Sequence, residues 1–191
     1  MANQYHKQII PPFPDNIDRG YFSAWLSGFT DGEGCFHLRQ DTRTFKNWPD
    51  KQYTTSAACF DITIRADDIG ILQLVRSFFQ CGTLIIRKRQ YKNHGGKPSA
   101  VYKVHRTDDL ATIIVPHFLK NPMLAKKRKD FLVWKDAVLL LKIVASRPNN
   151  FIAPGKGRML KWTQEEVDRF AYFVTEIKRQ REYQVVVNGT L

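Results

Sequence analysis

The sequence predicts an α+β fold in which an antiparallel four-stranded sheet carries its helices on one face. Four segments alternate apolar and polar residues with a period of two, which is typical of half-buried strands. The segments between them repeat apolar residues every three or four positions, as amphipathic helices do. The elements follow in the order helix, two strands, helix, two strands and then helices, and this order favours helices gathered on one side of the sheet.

The first half of the chain holds the first helix and the first pair of strands. Asp15 or Asp18 can cap that helix, because an aspartate oxygen accepts from the free N–H groups of a first turn. Phe36 and Leu38 alternate with polar residues in the first strand. The predicted elements are a helix to about residue 33, a strand over 35–41, a polar loop over 42–51, a strand over about 52–66 and a helix over about 67–80.

The second half holds the other strand pair and three helices. Asp108 or Asp109 is placed to cap the first of these helices, and Thr163 with Glu166 to cap the last. The predicted elements are strands over 83–91 and 99–107, helices to about 119, over about 124–145 and to about 183, and a loop over 146–156. We expect an N-terminal arm (1–14), a core domain (15–146) and a C-terminal loop and helix (147–191) that extend the same domain.

The composition limits the classes of function. A chain of 191 residues that is 43% hydrophobic can bury a core. Its net charge of +12 favours a polyanion as partner, although ribosomal and membrane-surface proteins share this property. No apolar run is long enough to span a membrane, so no membrane partner is expected. Three cysteines without a CxxC spacing argue against a disulfide framework or a zinc site and favour a reducing compartment.

The most informative segment is the end of the first helix. Ala24, Gly28 and Gly32 recur at every fourth position and therefore share one helix face, where a second backbone can approach closely. Glycine is costly within a helix and favourable at its end, so Asp31 and Glu33 stand where the helix must stop. The segment therefore combines a possible interface with an acid suited to a metal ion.

Residues 26–34, Leu-Ser-Gly-Phe-Thr-Asp-Gly-Glu-Gly, resemble the motif of the LAGLIDADG homing endonucleases position by position. Ser27 and Gly32 stand at the two alanine positions of that motif, and Glu33 at its last aspartate. The order of elements over roughly residues 15–145 also resembles the family's fold. The resemblance implies a saddle-shaped sheet and, because the motif occurs once, a homodimer through the helix face that carries the small residues.

The resemblance also implies which residues cut a phosphodiester bond. Two copies of Glu33 would meet at the two-fold axis and hold Mg²⁺, or another divalent cation such as Mn²⁺ or Ca²⁺, with the carbonyl oxygen of Gly32 as a further ligand. The resemblance also implies a catalytic lysine near the metal ions, with Lys126 as the first candidate and Lys127 as the second. Asp31 is expected to bond backbone donors at the helix end rather than a metal.

The family's second helper is often a glutamine at the end of the second strand, and Ile64 occupies that place here. An aliphatic side chain cannot hold a water molecule. Arg65 is the candidate catalytic substitute if the register shifts by one residue. Loss of this helper predicts a slow nuclease, or a protein that does not cut DNA.

Strand alternation gathers polar residues on one face of the sheet, and a twisted antiparallel ribbon of this kind can read base edges in a major groove. Arginine favours guanine, aspartate accepts from cytosine, and lysines contact phosphates. The predicted DNA-binding residues are His37, Arg39, Asp41, Lys46, Asp61, Thr63, Arg65, Arg87, Arg89, Tyr91, Lys103 and His105.

The resemblance thus implies an intron-type homing endonuclease, a homodimer that binds a long, near-palindromic DNA duplex and cuts both strands with a divalent metal ion. Two rivals share the scaffold: a maturase that binds group I intron RNA, and a DNA-binding protein without cleavage activity. The compartment stays open between a chloroplast or mitochondrion that encodes the protein and the bacterial cytoplasm.

Overall fold

The structure is a computed structural model that describes residues 9–45, 48–87, 97–147 and 162–182, and for residues 45 and 48–53 it describes the backbone alone. The helices are α1 (Arg19–Glu33), α2 (Ile69–Phe79), α3 (Thr107–Asp109), α4 (Val115–Lys120), α5 (Lys127–Ser146) and α6 (Gln164–Arg181). The strands are β1 (Gly34–Phe45), β2 (Trp48–Arg65), β3 (Thr83–Arg87) and β4 (Ser99–Val104). A 3₁₀ turn, Ala66–Asp68, precedes α2, and a π-helical segment, Leu110–Ile114, joins α3 to α4. Within these residues, no helix combines the length and apolar character that a membrane span requires.

The strands form one antiparallel sheet in the order β1, β2, β4, β3, which confirms the predicted α+β fold. Strand β1 pairs with β2 from Gly34 to Phe45, so the loop predicted over residues 42–51 is wrong. The side chains of residues 42–44 are exposed on this paired ribbon; Thr42 lies opposite Thr54, with their hydroxyl oxygens 3.3 Å apart. Backbone hydrogen bonds hold such a ribbon, and side-chain hydropathy does not reveal them.

The helices pack against one face of the sheet, and aromatic side chains fill the space between the two layers. Phe36 of β1 and Phe60 of β2 are fully buried, with ring centroids 5.3 Å apart. Trp134 of α5 lies 5.0 Å from Phe36, and Phe118 of α4 meets Phe36 edge-on at 5.7 Å. Burial of each phenylalanine contributes about 1.5–3 kcal/mol. This cluster therefore fixes the position of α5 over β1 and β2.

Helix α6 is tied to both α5 and β1. Thr163 caps its start in a capping box with Glu166, as the sequence predicts. Near its end, Arg181 donates to Oδ2 of Asp130 in α5 (2.7 Å) and to the carbonyl oxygen of Phe36 in β1 (2.6 Å). These charge-assisted bonds hold the C-terminal helix against the layer that carries the core.

Two helices begin at other residues than the sequence suggests. The helix expected to be capped by Asp108 or Asp109 starts at Thr107, so both acids lie within its first turn, where a negative charge is favourable. Helix α5 starts at Lys127 rather than near residue 124. The backbone N–H groups that precede α5 are bound by a distant side chain, which belongs to the site.

Gly82, between α2 and β3, is expected to resist substitution by alanine. Its backbone φ is +79°, and a Cβ atom there would lie 2.6 Å from Cε2 of Tyr102 and 2.9 Å from the carbonyl oxygen of Lys103. We expect Gly82→Ala to lower the free energy of unfolding by about 2–4 kcal/mol. Gly70→Ala is the matched control, because a Cβ atom at Gly70 meets nothing within 4 Å. Urea denaturation followed by circular dichroism compares the two variants, and equal midpoints would contradict this account.

Candidate active site and nucleic-acid interface

Helix α1 leads into the site and is anchored to the core on one face. Asp18 caps its start by accepting from the N–H of Tyr21. Phe22 and Leu26 are buried. The hydroxyl group of Ser27 donates to the carbonyl oxygen of Asn121 at 2.7 Å, just before the segment that leads to α5. The end of α1 is therefore held by apolar packing and by a bond to the chain that follows α4.

The other face of α1 carries the small residues and is open. Ala24, Gly28 and Gly32, the residues predicted for the dimer interface, are all exposed. A Cβ atom built at Gly28 or at Gly32 meets nothing within 4 Å. We call these three residues the small-residue strip. The strip has room for the backbone of a second helix, and no other described residue covers it.

Asp31 joins the end of α1 to the chain that enters α5. Its Oδ2 atom accepts from the backbone N–H groups of Leu124 (2.8 Å) and Ala125 (3.1 Å). These two groups lie in the segment just before Lys127, the first residue of α5. Bonds between a carboxylate and backbone N–H groups are stronger than neutral ones. Asp31 therefore bonds backbone donors, in the way that the motif resemblance implies.

Lys127, rather than Lys126, reaches the end of α1. Its Nζ atom donates to the carbonyl oxygen of Gly34 at 2.5 Å and lies 3.4 Å from that of Gly32. Lys126 is exposed at the position before the first residue of α5, and its side chain makes no capping bond there. The second of the two lysine candidates is thus the one that the fold brings to the acid-bearing segment, where Glu33 is the last residue of α1.

Glu33 is exposed and lines an open groove of about 970 Å³, together with residues at the end of β2. Ile64, in the place of the expected glutamine, offers this groove no polar side-chain atom. Arg65 and Lys97 also line it. Asp67 holds Arg65 through two hydrogen bonds, one of them from Nε at 3.0 Å, and this contact lowers the pKa of Asp67. Arg65 therefore lines the same groove as Glu33, but its guanidinium group is bound by Asp67, two residues further along the chain.

The donor atoms at the end of α1 suit a hard divalent cation. Glu33 supplies a carboxylate and Gly32 a carbonyl oxygen, and oxygen atoms are the ligands that Mg²⁺ and Ca²⁺ prefer. Nζ of Lys127 lies 3.4 Å from the same carbonyl oxygen, so a cation bound there would have this ammonium group as a neighbour. Among the residues that the structure describes, no three His, Cys, Asp or Glu side chains converge on a metal position. One chain thus offers a partial coordination shell.

The face of the sheet opposite the helices, here called the polar face, collects most of the predicted DNA-binding residues. Strand pairing sets Asp61 of β2 between Cys35 of β1 and Lys103 of β4. A groove of about 710 Å³ runs over the face. The predicted residues on it are His37, Arg39, Asp41, Asp61, Thr63, Arg87, Lys103 and His105, with Arg65 at the edge that meets the groove of Glu33. The other predicted residues, Lys46, Arg89 and Tyr91, lie outside the described residues.

Ion pairs divide the polar face into two halves. On β1 and β2, Nε2 of His37 lies 3.1 Å from Oδ2 of Asp61, and Asp41 lies 3.1 Å from Arg39 and 3.5 Å from Arg43. The hydrogen bond with Asp61 raises the pKa of His37 to about 9. The basic residues of the β3 and β4 half that form no ion pair with another described residue are Arg87, Lys103 and His105. In one half the basic groups are thus paired with acids, and in the other the described basic groups have no acidic partner among the described residues.

Two contacts that support the site have no signal in the sequence. The indole nitrogen of Trp134 donates to the carbonyl oxygen of His37 at 3.2 Å, so α5 fixes the backbone beneath the polar face. Asn121 accepts from Ser27 of the motif. Each bond joins residues more than 90 positions apart, and its partner depends on the complete fold.

Comparison with known proteins identifies relatives of this arrangement. The family model described as LAGLIDADG endonuclease matches residues 26–138, which is more than half of the chain. A protein named probable intron-encoded endonuclease Cox1-I1b, from Schizosaccharomyces pombe, is 31% identical over 121 residues, which cover 63% of this chain and 28% of that protein. Probable intron-encoded endonuclease aI3 from Dictyostelium citrinum is 28% identical over 134 residues, which cover 70% of this chain and 46% of that protein. The chain therefore spans less than half the length of these relatives.

Solved structures share the fold. I-SmaMI bound to an uncleaved DNA target in the presence of calcium ions matches with a TM-score of 0.60 and 22% identity, covering 82% of this chain and 45% of that one. The homing endonuclease I-TnaI matches with a TM-score of 0.57 and 22% identity, covering 83% of this chain and 94% of that one. The same fold thus occurs in a chain of similar length and as part of a chain about twice as long.

The contact of Asp31 is expected to stabilise the junction between α1 and α5. Asp31→Ala leaves the N–H groups of Leu124 and Ala125 without their acceptor, and we expect it to lower the free energy of unfolding by about 1–3 kcal/mol. Asp31→Asn keeps an oxygen acceptor and should lose less than half as much. Urea denaturation of both variants measures the difference, and an alanine variant as stable as the asparagine variant would show that the bond contributes nothing.

Proposed function

The chain belongs to the LAGLIDADG endonuclease family, and from this premise we propose that it acts as an intron-type homing endonuclease. It binds a long, near-palindromic DNA duplex and hydrolyses one phosphodiester bond in each strand near the centre of the site. The names of its relatives as intron-encoded endonucleases, and a DNA-bound neighbour of the same fold, support this proposal.

The observation that carries the proposal is that a lysine is bonded to the backbone on either side of an exposed acid at the end of α1. Glu33 is exposed there, Lys127 is bonded to the carbonyl oxygens of Gly32 and Gly34, and the polar face of the sheet begins at the next residue. A duplex laid on the polar face would bring its backbone past this acid and this lysine. Site-specific cleavage needs both a reading surface and a cutting group, and this chain joins them in one continuous segment.

Within this proposal, each residue has a stated task. The carboxylate of Glu33 and the carbonyl oxygen of Gly32 hold Mg²⁺, or Mn²⁺ or Ca²⁺ in its place. When bound, such an ion activates water and neutralises the charge that develops on the phosphate. Lys127 donates to a phosphate oxygen from its position against the same carbonyl groups. Ile64 orients no water, so Arg65 is the residue of β2 that could act at the groove in its place. To bind a phosphate, Arg65 would have to exchange its hydrogen bonds to Asp67 for bonds to that phosphate.

A homodimer completes the proposed site. One carboxylate per chain is a poor Mg²⁺ site, whereas two chains related by a two-fold axis bring two copies of Glu33 together. The small-residue strip supports this arrangement because it is exposed and has room for a second backbone. The occurrence of the fold both in a chain of similar length and within a longer chain is consistent with a pairing of two such units.

A maturase for group I intron RNA is the second candidate, and a DNA-binding protein that does not cut is the third. The observation that favours both is Ile64, which leaves the groove of Glu33 without the expected water-holding side chain. A net charge of +12 suits RNA as well as DNA. In either role the protein binds nucleic acid through the same surfaces, and cleavage is absent or slow.

Glu33→Gln is expected to abolish DNA cleavage while binding persists, because phosphate contacts dominate affinity and the amide cannot serve as an anionic ligand. The measurement uses a plasmid library with Mg²⁺ to find the cleaved site, followed by gel-shift binding to that site. Glu165→Gln, the same change on the exposed start of α6, is the matched control and should cut as the wild type does.

The same assay separates the two lysines. Lys127→Met should slow cleavage at least about a hundredfold, as the loss of a positioned donor does, and Lys126→Met should cost much less. Cleavage by Glu33→Gln at the wild-type rate would refute the nuclease proposal. Absence of cleavage by the wild type, with binding and splicing of an intron RNA, would instead establish the maturase.

Gly28→Leu is expected to convert the proposed dimer into a monomer, because a leucine side chain fills the space that a second backbone requires. Light scattering over a range of concentrations measures the mass. Gly70→Leu is the control, since Gly70 is also open but lies on α2. A dimeric Gly28→Leu variant would exclude this interface, and a monomeric wild type would exclude the homodimer.

A further inference from the structure

His37 and Asp61 form an unusual pair on the polar face. Strand pairing sets His37 directly opposite Cys59 and sets Asp61 opposite Cys35, so the two side chains meet on the diagonal between β1 and β2. Nε2 of His37 lies 3.1 Å from Oδ2 of Asp61. The Asp61 side chain is 14% exposed, whereas that of His37 is 49% exposed. The acid is thus largely shielded, and the imidazole ring stands out toward the place that a duplex would occupy.

The contacts of the ring engage one nitrogen strongly and the other only weakly. Nε2 is engaged by Asp61, and Nδ1 lies 3.8 Å from the Sγ atom of Cys35, which is a weak acceptor. A protonated imidazole carries two N–H groups and no acceptor. In that state one N–H group of His37 is bonded to Asp61. The other has only the weak contact with Cys35, which a stronger acceptor of a duplex can replace. The pKa of about 9, which the bond to Asp61 chiefly causes, supports this state at neutral pH.

The other groups that face His37 do not replace Asp61. On its own strand, Cys35 lies two residues before His37, and Arg39 two residues after it is bound by Asp41 at 3.1 Å. Strand β2 presents Cys59 and Asp61, and β4 presents Lys103 opposite Asp61. Strand β1 is at the edge of the sheet, so no further strand lies beside His37. Asp61 is therefore the one described carboxylate in contact with the ring.

We propose that Asp61 is a positioning residue that keeps His37 protonated, so that His37 donates a hydrogen bond to an acceptor of the bound duplex. This inference rests on the proposed DNA-binding function. The acceptor is an oxygen or nitrogen atom that lacks a proton, and two parts of a duplex provide one: the phosphate backbone and the base edges, through N7 and O6 of guanine, N7 of adenine and O4 of thymine. A neutral histidine would tolerate a donor as well as an acceptor, whereas the cation rejects the amino groups of adenine and cytosine.

The binding test compares the pH profiles of two acid-to-amide variants. Asp61→Asn returns His37 to the ordinary range of histidine pKa values near 6.5, so affinity for a duplex selected from a random pool should fall about tenfold between pH 6 and pH 8. Asp41→Asn removes the same charge from the same face, but Asp41 contacts two arginines, which do not titrate between pH 6 and pH 8. Its profile should match that of the wild type, whatever its absolute affinity. Parallel profiles for the two variants would overturn the proposal.

A second measurement does not depend on DNA. Nuclear magnetic resonance titration of the imidazole of His37 in the free protein should give a midpoint near 9 in the wild type and near 6.5 in Asp61→Asn. A wild-type midpoint near 6.5 would overturn the proposal even if the protein binds DNA. A protein with the high midpoint that binds no duplex would instead remove the proposed function, so the two failures can be told apart.

His37→Gln identifies the acceptor. If it is a base edge, selection from the random pool should lose its base preference at one base pair. If it is a phosphate, sequence preference should stay the same, while affinity falls for all sequences and the dependence of affinity on salt becomes shallower by about one contact. Unchanged affinity and unchanged preference would show that His37 does not touch the duplex and would overturn the proposal.

Discussion

The bond between Asp31 and the backbone N–H groups of Leu124 and Ala125 is the interaction on which the rest of the site depends. It joins the end of α1 to the segment that enters α5. A shift of the α5 sequence by one residue along the helix would rotate each side chain by about 100° around the helix axis. Lys127 would then point away from Gly32 and Gly34. The carboxylate of Asp31 thus holds the helix end that bears Glu33 next to the segment that leads to Lys127, although Asp31 itself is assigned neither to the metal ion nor to the phosphate.

The core supports this junction from the opposite side. Trp134 lies on α5 between the aromatic cluster and β1, packs on Phe36 and donates to the carbonyl oxygen of His37. The same side chain thus contributes to burial and fixes the strand that carries the polar face. Apolar packing and polar geometry are coupled through it, so changes in the core are expected to move the groups that face solvent.

Signals between near neighbours in the chain were enough to predict the order of the elements. Alternation at Phe36 and Leu38, the cap at Asp18 and the capping box at Thr163 each depend on residues within one or two turns. The hairpin extension over residues 42–51 was not predicted, because its stability comes from backbone pairing of polar segments. Local patterns predict the secondary structure of a segment, but not which other segment it pairs with.

The choice between the two lysines shows the same limit within the site. Lys126 and Lys127 are adjacent and chemically identical, so no pattern separates them. Their positions at the start of α5 separate them, and the segment that enters this helix is held by Asp31, which lies 93 residues before Leu124. The pairing of His37 with Asp61 also requires the register of β1 on β2. The types of residue in the site could be read from the sequence, whereas their partners required the fold.

The length of β2 has a consequence for the size of any sequence that the protein recognises. Strand β2 has 18 residues but pairs with β4 only over its last six, so residues 48–59 pair with β1 alone. At a rise of about 3.3 Å per residue, this two-stranded arm extends about 40 Å, somewhat more than one turn of B-form DNA. If this arm lies along a duplex, its residue count sets the length of DNA that it contacts. Ala58 near its base is buried in the core, so a change in that length is tolerated best at the far end of the arm.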